Sequence, residues 1–274
     1  MSGGRILAIG YGAIVRQTFA TLARDIAAPL ELLIILCKPG AEKRARDAIG
    51  NFQGLATEML VTSDIDKAIG AKPAFAVEAA GHEALRAFGP KLLEHGIDLL
   101  VSSVGALAHE ELRNALDTAA MRGGASYAAI PGAIGGLDIL AAAKLAGIES
   151  LTYTGRKPPG AWKGTRAEKL VDLDRISSET IFFEGDAGTA ARDYPQNANV
   201  AATLALAGPG FHKTQVRLVA DPAASRNVHE ISVRSACADF TMKIEGRVSP
   251  DNPKTSMTVA YSMASTILQR LKSA

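Results

Sequence analysis

Short apolar runs alternate with segments of helical periodicity through the first half of the chain, and this alternation limits its possible folds more than any other feature. Two runs, Arg5–Gly10 (RILAIG) and Glu31–Cys37 (ELLIILC), are apolar almost throughout, as strands are when both faces of their sheet are covered. The helical spacing of AIVRQTFATLARDI predicts inward positions at Ile14, Phe19, Leu22 and Ile26. Further strand-like segments follow: TEMLVT, AFAVEAAG, IDLLVSSVG and ASYAAI. Strands and helices at this spacing predict an α/β domain with a doubly wound parallel sheet.

The pattern changes after Gly136, where a second domain is predicted. SLTYTGRKPP is interpreted as an exposed strand that runs into a proline-rich loop. Three later segments, TQVRLVA, NVHEISVR and DFTMKIEGRV, alternate apolar and polar residues and predict an antiparallel or mixed sheet with one covered face. We therefore expect a first domain over 1–132, a second α/β domain over 133–254, and an amphipathic helix over 255–274 that packs back on the first domain.

Composition and charge exclude several classes of protein. Hydrophobic residues make up 47% of the 274 residues and charged residues 21%, which favours a sizeable core over disorder. The formal net charge of +2 argues against a dedicated nucleic-acid binder, and the absence of a run of about 18 apolar residues argues against a membrane span. Cys37 and Cys237 have no metal-binding spacing, so we expect no metal site. Two reduced thiols and an N-terminus without a signal-peptide layout predict a cytoplasmic protein.

A glycine-rich turn lies where the first predicted strand passes into the first helix. In AIGYGAIV, Gly10 permits the tight turn and Gly12 lets a pyrophosphate approach the backbone at Ala13 and Ile14, where the helix begins. The third fingerprint position is Val15 instead of glycine, which we expect to loosen the contact of helix and strand. Because strand, turn and helix occur in this order, the segment predicts dinucleotide binding in a Rossmann-type domain; a plain structural turn is the alternative.

The end of the second predicted strand bears on the choice between NAD and NADP. No carboxylate follows that strand to hold the ribose hydroxyls; the chain has Lys38 there, with Arg44 nearby, and either cation suits a 2′-phosphate. Both side chains are equally compatible with a solvated surface, so the cofactor is predicted as NAD or NADP. Ala79, at the end of another strand, is expected to lie along the same edge of the sheet.

Several segments, spread in order over nearly the whole chain, together resemble the L-aspartate dehydrogenase family. They are GYGAI, VEAAGHEAL, SVGAL, IPGAIGGLD, TYTGRKPP, FEGDA, NANVAATLALAG, NVHEI and DNPKTS. The resemblance implies a Rossmann-type domain, a second α/β domain like that of dihydrodipicolinate reductases, and a homo-oligomer, which we take to be a homodimer. It also implies that the catalytic histidine is His229 in NVHEI, and that nucleotide contacts fall on Ala133 and Asn199. Asn199 also opens a helical pattern, so a helix cap is the alternative.

His229 combines an inward position with a chemistry that amine oxidation needs. In NVHEISVR it shares the apolar face with Ile231 and Val233, and we expect that face to form a cleft wall against the nicotinamide. One base of near-neutral pKa can both take a proton from the substrate amine and activate water, and an unperturbed histidine has such a pKa. The alternative is a core histidine bonded to backbone groups. His212, in a glycine-flanked loop, is the rival candidate base.

A dicarboxylate substrate needs cationic or N–H partners, because unpaired carboxylates are costly to desolvate. The candidates are Lys163 in PPGAWKGT and Lys254, Thr255 and Ser256 at the expected start of the last helix, where ordinary capping is the alternative. Trp162 either covers a cleft or packs in the core.

The function predicted from the resemblance is NAD(P)-dependent, reversible oxidative deamination of L-aspartate. The product, iminosuccinate, hydrolyses to oxaloacetate and ammonia or feeds pyridine-nucleotide synthesis. One alternative is a related reductase or dehydrogenase acting on another amino or imino acid. The other is a sensor that binds NAD(P) without turnover.

Overall fold

The chain forms two compact units, each with its own sheet. The computed structural model describes residues 4–50, 52, 54–195, 197–249 and 252–273. One unit comprises Met1–Ile130 with Ala260–Ala274, and the other comprises Pro131–Val259. Among the described residues, no helix has the length and apolar character needed to cross a membrane.

The sheet of the first unit is parallel, as the alternation of strand and helix patterns predicts. Its strands in the described chain are β1 (Arg5–Ile9), β2 (Leu30–Leu36), β3 (Ala56–Thr62), β4 (Phe75–Glu78), β5 (Asp98–Val101) and β6 (Tyr127–Ala129). They lie in the order β3-β2-β1-β4-β5-β6, and every pair is parallel. The helices between them are α1 (Ala13–Asp25), α2 (Glu42–Ile49), α3 (Ile65–Gly70), α4 (His82–Glu94) and α5 (Glu110–Gly123). The strand order reverses between β1 and β4, which is the position where doubly wound sheets bind ligands.

Helix α1 packs on this sheet through a face that differs in part from the predicted one. Phe19 and Leu22 are buried as expected, but Ile14 is only partly buried and Ile26 lies beyond the end of the helix. Val15 takes the inward position and is 2% exposed, because positions 15, 18, 19 and 22 share one helical face once the helix starts at Ala13. The valine at the third fingerprint position is therefore a packed core residue.

The second unit has a mixed sheet. Its five described strands are β7 (Ile148–Lys157), β8 (Thr180–Asp186), β9 (Thr214–Ala220), β10 (Asn227–Ser235) and β11 (Phe240–Gly246). Their order is β11-β10-β7-β9-β8, with β7 and β9 parallel and the other pairs antiparallel. The helices of this unit are α6 (Leu137–Ala146), α7 (Ala187–Asp193) and α8 (Asn199–Ala207). The interpretation of SLTYTGRKPP as an exposed strand was wrong, because β7 is the central strand and Leu151, Tyr153 and Lys157 on one of its faces are buried.

The segment before the last helix is extended, which corrects the predicted helix over 255–274. Strands β12 (Val248–Ser249) and β13 (Asn252–Ser256) pair in an antiparallel hairpin, and α9 (Met257–Ser273) begins only after it. Lys254 and Thr255 are therefore strand residues, since the backbone around them is paired with β12. Their side chains lie outside the described part of the structure.

Most of α9 belongs to the first unit, where polar and apolar contacts hold it. The Thr18 hydroxyl donates to the Ala260 carbonyl at 3.2 Å. Arg270 pairs with Asp98, and its guanidinium lies 5.6 Å from the centre of the Phe75 ring. The inward face of the helix is fully buried at Met263, Ala264 and Ile267.

Candidate active site

The glycine turn after β1 has a backbone that other residues do not readily adopt. Gly10 has φ +99°, and a Cβ placed there would lie 3.0 Å from the Ala80 Cβ and 3.2 Å from the Ala79 carbonyl oxygen. Glycine is thus required by both conformation and space. The same contacts bring Ala79, another predicted cofactor residue, against the turn.

The helix that follows begins without a side-chain cap. Gly12 is its N-cap residue and accepts the N–H of Arg16 at 3.0 Å, and the first turn contains no acidic residue. A Cβ at Gly12 would meet nothing described within 4 Å, so the space above the helix start is open. Ala13 and Ile14 form the first turn, where backbone N–H groups and the helix dipole favour an anion. These residues fit the pyrophosphate of a dinucleotide.

A buried carboxylate, Glu78, fixes the loops beside this turn. Its Oε1 accepts the backbone N–H groups of Ala80 and Gly81 at 2.7 and 2.8 Å and the Ser103 hydroxyl at 2.9 Å. Its Oε2 accepts the Ser103 N–H at 3.0 Å. Burial raises the pKa of Glu78, and these hydrogen bonds act in the opposite direction. Glu78 therefore joins the loop after β4 to the loop after β5 and holds the edge where Ala79 lies.

Lys38 is exposed and lies two residues after the end of β2, where doubly wound folds contact the adenosine ribose. The Lys38 carbonyl accepts the Ala41 N–H at 3.0 Å, which turns the chain towards α2. Arg44, in the first half of α2, is also exposed. Because both side chains are exposed, each can reach a ribose phosphate or solvent.

We expect Lys38→Asp to shift the preference from NADP towards NAD. A carboxylate after β2 would accept hydrogen bonds from ribose hydroxyls and repel a 2′-phosphate. The measurement is the ratio of kcat/KM for the two nucleotides, with Lys43→Asp as the control, because Lys43 is exposed and paired with Asp47 on α2. An unchanged ratio would show that Lys38 does not contact the ribose.

In the second unit, His229 lies in the covered face of the sheet. On β10 it pairs with Gly155 of β7 and Ile244 of β11, and the residue is only 6% exposed. Its Nδ1 shares a hydrogen bond of 2.8 Å with the hydroxyl of Tyr153, and the two rings are 6.0 Å apart and inclined by 22°. The imidazole is therefore held by a side chain. The predicted alternative was a core histidine hydrogen-bonded to backbone groups, and Nδ1 does not fit it, because its partner is the Tyr153 hydroxyl.

Gly155 makes the contact between Tyr153 and His229 possible. Tyr153, Gly155 and Lys157 alternate along β7 and share a face, on which Gly155 is the direct partner of His229. A Cβ at Gly155 would lie 2.7 Å from the Tyr153 hydroxyl oxygen and 3.3 Å from the Leu218 Cδ2. The missing side chain thus provides the space through which Tyr153 reaches the imidazole.

Lys157 places a buried ammonium group on the same face. It is 9% exposed, its Nζ donates to the Asn197 Oδ1, and it lies 4.9 Å from the centre of the Trp162 ring. Trp162 is fully buried, and its Nε1 donates to the Val219 carbonyl at 3.0 Å, so it packs in this core. Burial lowers the pKa of Lys157 to about 8, which leaves the ammonium form predominant at neutral pH.

The pKa of His229 is lower than the near-neutral value that was expected from the sequence. Burial, and secondly the charge of Lys157, lower the pKa of His229 to about 4. Both causes disfavour an imidazolium, so the ring is neutral at pH 7 and able to accept a proton. An anion bound near Lys157 would offset the second of these causes and make protonation easier.

Two residues assigned to the nucleotide by resemblance lie in the second unit. Ala133 is 7% exposed and precedes α6. Asn199 is the first residue of α8 and is exposed; its carbonyl accepts the Thr203 hydroxyl at 2.9 Å. The N-cap of α8 is Ala198, so Asn199 does not take the capping role that was its alternative.

The remaining candidates have other partners. Lys163 is exposed and its ammonium pairs with Asp174. His212, the rival base, has a side chain that is 91% exposed and lies 3.9 Å from Asp186. Ser256 is buried and its hydroxyl donates to the Thr258 hydroxyl at 3.2 Å.

Tyr153, Lys157 and Asn197 were not predicted as site residues from the sequence. A signal was present for the first two, since TYTGRK places Tyr153, Gly155 and Lys157 at alternate positions. What the pattern does not give is the pairing of this strand with the one that carries His229, 76 residues further on.

A doubly wound unit with a glycine turn, followed by a mixed-sheet unit with a buried histidine, defines the class of two-domain nicotinamide-dinucleotide dehydrogenases. A family model described as homoserine dehydrogenase, NAD binding domain, matches residues 10–129, and one described as aspartate dehydrogenase, C-terminal, matches residues 138–270. The chain belongs to the L-aspartate dehydrogenase family. Its cofactor is NAD or NADP.

Relatives and solved structures agree with this assignment. L-aspartate dehydrogenase of Polaromonas sp. is 42% identical over 97% of each chain, and that of Pseudomonas aeruginosa is 41% identical over 94% of each. Aspartate dehydrogenase from Thermotoga maritima superposes with a TM-score of 0.71 at 25% identity, covering 97% of this chain and 96% of that one.

A dihydrodipicolinate reductase structure from Paenisporosarcina sp. TG-14 shares the fold. Its TM-score is 0.54 at 13% identity, covering 98% of this chain and 94% of that chain. The predicted likeness of the fold to dihydrodipicolinate reductases is confirmed.

Proposed function

We propose that this chain catalyses NAD(P)-dependent oxidative deamination of L-aspartate, giving iminosuccinate and then oxaloacetate and ammonia, and that the reaction is reversible. Family membership supports the substrate. The observation that carries the mechanism is a neutral, buried His229, bonded to Tyr153 at 2.8 Å and sharing its sheet face with the ammonium of Lys157.

The first unit has the nucleotide-binding role. Gly10, Gly12, Ala13 and Ile14 hold the pyrophosphate at the start of α1, with Lys38 and Ala79 along the same edge of the sheet. Ala133 and Asn199 of the second unit are assigned to the nucleotide by family resemblance alone. When bound, the nicotinamide accepts a hydride from the substrate Cα.

His229 is the general base of the proposed reaction. The substrate amine must lose a proton before its Cα gives up a hydride, and the imine must then be attacked by water. The neutral imidazole accepts a proton in either step. If the Tyr153 oxygen accepts the Nδ1 hydrogen, then Nε2 carries the free lone pair; the same oxygen remains an acceptor when the ring is protonated.

Tyr153→Phe is expected to lower kcat about tenfold, because the protonated imidazole loses its Nδ1 acceptor and a buried hydrogen bond is worth ~1 kcal/mol or more. The pKa of His229 falls further, so the acidic limb of the kcat/KM profile moves to lower pH. The measurement is a pH–rate profile in the wild type and the variant.

Tyr194→Phe is the matched control for this change. Tyr194 is also buried, but its hydroxyl has no hydrogen-bond partner among the described residues, so we expect an unchanged profile. A pH profile that is unchanged in Tyr153→Phe as well would contradict the assigned role of the Tyr153 hydroxyl.

The overall activity is tested by the formation of NAD(P)H, followed by absorbance, across a panel of amino acids with both nucleotides. We expect turnover with L-aspartate. Turnover of another amino acid without aspartate would favour a related dehydrogenase. Tight nucleotide binding without any turnover would favour a sensor.

We further propose a homodimer whose product feeds pyridine-nucleotide synthesis, on the basis of the family resemblance, and a cytoplasmic location, on the basis of the two reduced thiols. Light scattering coupled to size exclusion is expected to give twice the chain mass of 28.6 kDa. A mass of 28.6 kDa at assay concentration would contradict the dimer.

A further inference from the structure

The buried ammonium of Lys157 lacks an anionic partner in the described structure. Its described contacts are the amide oxygen of Asn197 and the face of the Trp162 ring, and the nearby titratable group, His229, is neutral. No carboxylate among the described residues pairs with it, although Lys157 is buried, with only 9% of its surface exposed. An ammonium has three donors, and these two contacts do not satisfy a full positive charge.

The neighbouring cation on the same strand shows the contrast. Arg156 points to the other face of β7 and has three carboxylate partners: Glu179, Asp221 at 3.3 Å and Glu230 at 3.5 Å. That face is the more exposed one. The charge of Arg156 is therefore paired with carboxylates although solvent already screens it. Lys157, on the buried face, is left with an amide and an aromatic ring.

Burying an uncompensated charge destabilises a folded chain unless something pairs with it. A carboxylate of a ligand would supply the missing charge through charge-assisted hydrogen bonds. The position also suits a substrate group. Gly155 is the direct partner of His229, and Lys157 lies two residues further along β7, where its Cα is about 7 Å from that of Gly155.

We propose that Lys157 binds a carboxylate of the substrate and that Asn197 positions its ammonium group. This inference rests on the proposed function, in that the substrate is taken to be a dicarboxylic amino acid. In this role Lys157 replaces Lys163, one of the candidates predicted from the sequence, since the Lys163 charge is already paired with Asp174.

The test uses succinate, a dicarboxylate with no amine to oxidise, and measures its binding to the NAD(P)H-loaded full chain by calorimetry. Lys157→Met is expected to weaken succinate binding by about 10- to 100-fold, the range for loss of a charged hydrogen-bond partner. The aspartate KM should rise with it, while NAD(P)H affinity is unchanged. Lys163→Met makes the same chemical change at an exposed lysine and should leave succinate binding as in the wild type.

If Lys157→Met does not fold, Asn197→Asp provides a second test of the proposal. The new carboxylate would pair with Lys157 inside the protein and compete with the ligand, so succinate binding should weaken although the lysine is retained. A purely structural lysine would instead give equal succinate affinity in Asn197→Asp and the wild type, which would overturn the proposal. Failure of the wild type to bind succinate would overturn it as well.

Failure of the proposed function has a different signature. In that case the wild type forms no NAD(P)H from aspartate in the amino-acid panel, whatever the succinate affinities are. To identify which substrate carboxylate is bound, the same variants are assayed with L-2-aminobutyrate, which has only the α-carboxylate. A loss of kcat/KM confined to aspartate assigns Lys157 to the β-carboxylate, and an equal loss with both assigns it to the α-carboxylate.

Discussion

Replacing His229 with asparagine is expected to lower kcat for aspartate by about 100- to 10,000-fold, the usual contribution of a positioned general base. Asparagine retains a polar group that can bond to Tyr153 but cannot accept a proton at neutral pH. Dinucleotide affinity should be nearly unchanged, because the glycine turn that we propose for the pyrophosphate is in the other unit.

The measurement combines steady-state kinetics with a fluorescence titration of NAD(P)H. His212→Asn is the matched control, since that side chain is 91% exposed and its loss should leave turnover unchanged. Parallel losses of turnover, nucleotide affinity and unfolding free energy in His229→Asn would mean that the histidine is structural.

Gly155→Ala is expected to lower both the unfolding free energy and kcat. The added methyl would lie 2.7 Å from the Tyr153 hydroxyl and 3.2 Å from the ring carbon that bears it, so the ring has to move away from His229. Overpacking of this kind costs ~1–3 kcal/mol of unfolding free energy. We expect kcat to fall about tenfold as well, as for loss of the hydroxyl itself.

Denaturant unfolding and kcat together check this expectation. Gly160→Ala is the control, because a Cβ at Gly160 would meet no atom of the described residues within 4 Å. In a Tyr153→Phe background the methyl no longer meets a hydroxyl, so the stability cost of Gly155→Ala should be smaller there. Strict additivity of the two costs would show that the methyl does not act through Tyr153.

The parallel sheet could be predicted from sequence because its strands are covered on both faces. In β2, four consecutive residues are at most 1% exposed: Leu33, Ile34, Ile35 and Leu36. A continuous apolar run was therefore sufficient to predict a buried strand. The central strand β7 was mistaken for an exposed one, since Thr152, Thr154 and Arg156 interrupt its apolar residues with polar ones. Its burial follows from its place between β10 and β9, which no local pattern reveals.

The candidate site was predictable only in part for the same reason. His229 stood out as a polar residue on an apolar face, and the resemblance gave it a role. Tyr153 and Lys157 could not be connected to it, because their proximity depends on the register that places Gly155 opposite His229. Lys254 and Thr255 were assigned to a helix start since the β12–β13 pairing has only a few residues and no clear alternation.

The return of α9 to the first unit has a consequence for synthesis on the ribosome. The six described strands of the first sheet are complete in the nascent chain by Ala129, but the helix that buries Met263 and Ile267 against this unit is translated only after the second unit. The middle unit, Pro131–Val259, can therefore finish folding while the amino-terminal unit still waits for its closing helix. Until α9 has been synthesised, we expect the apolar surface that it covers to remain exposed and prone to aggregation.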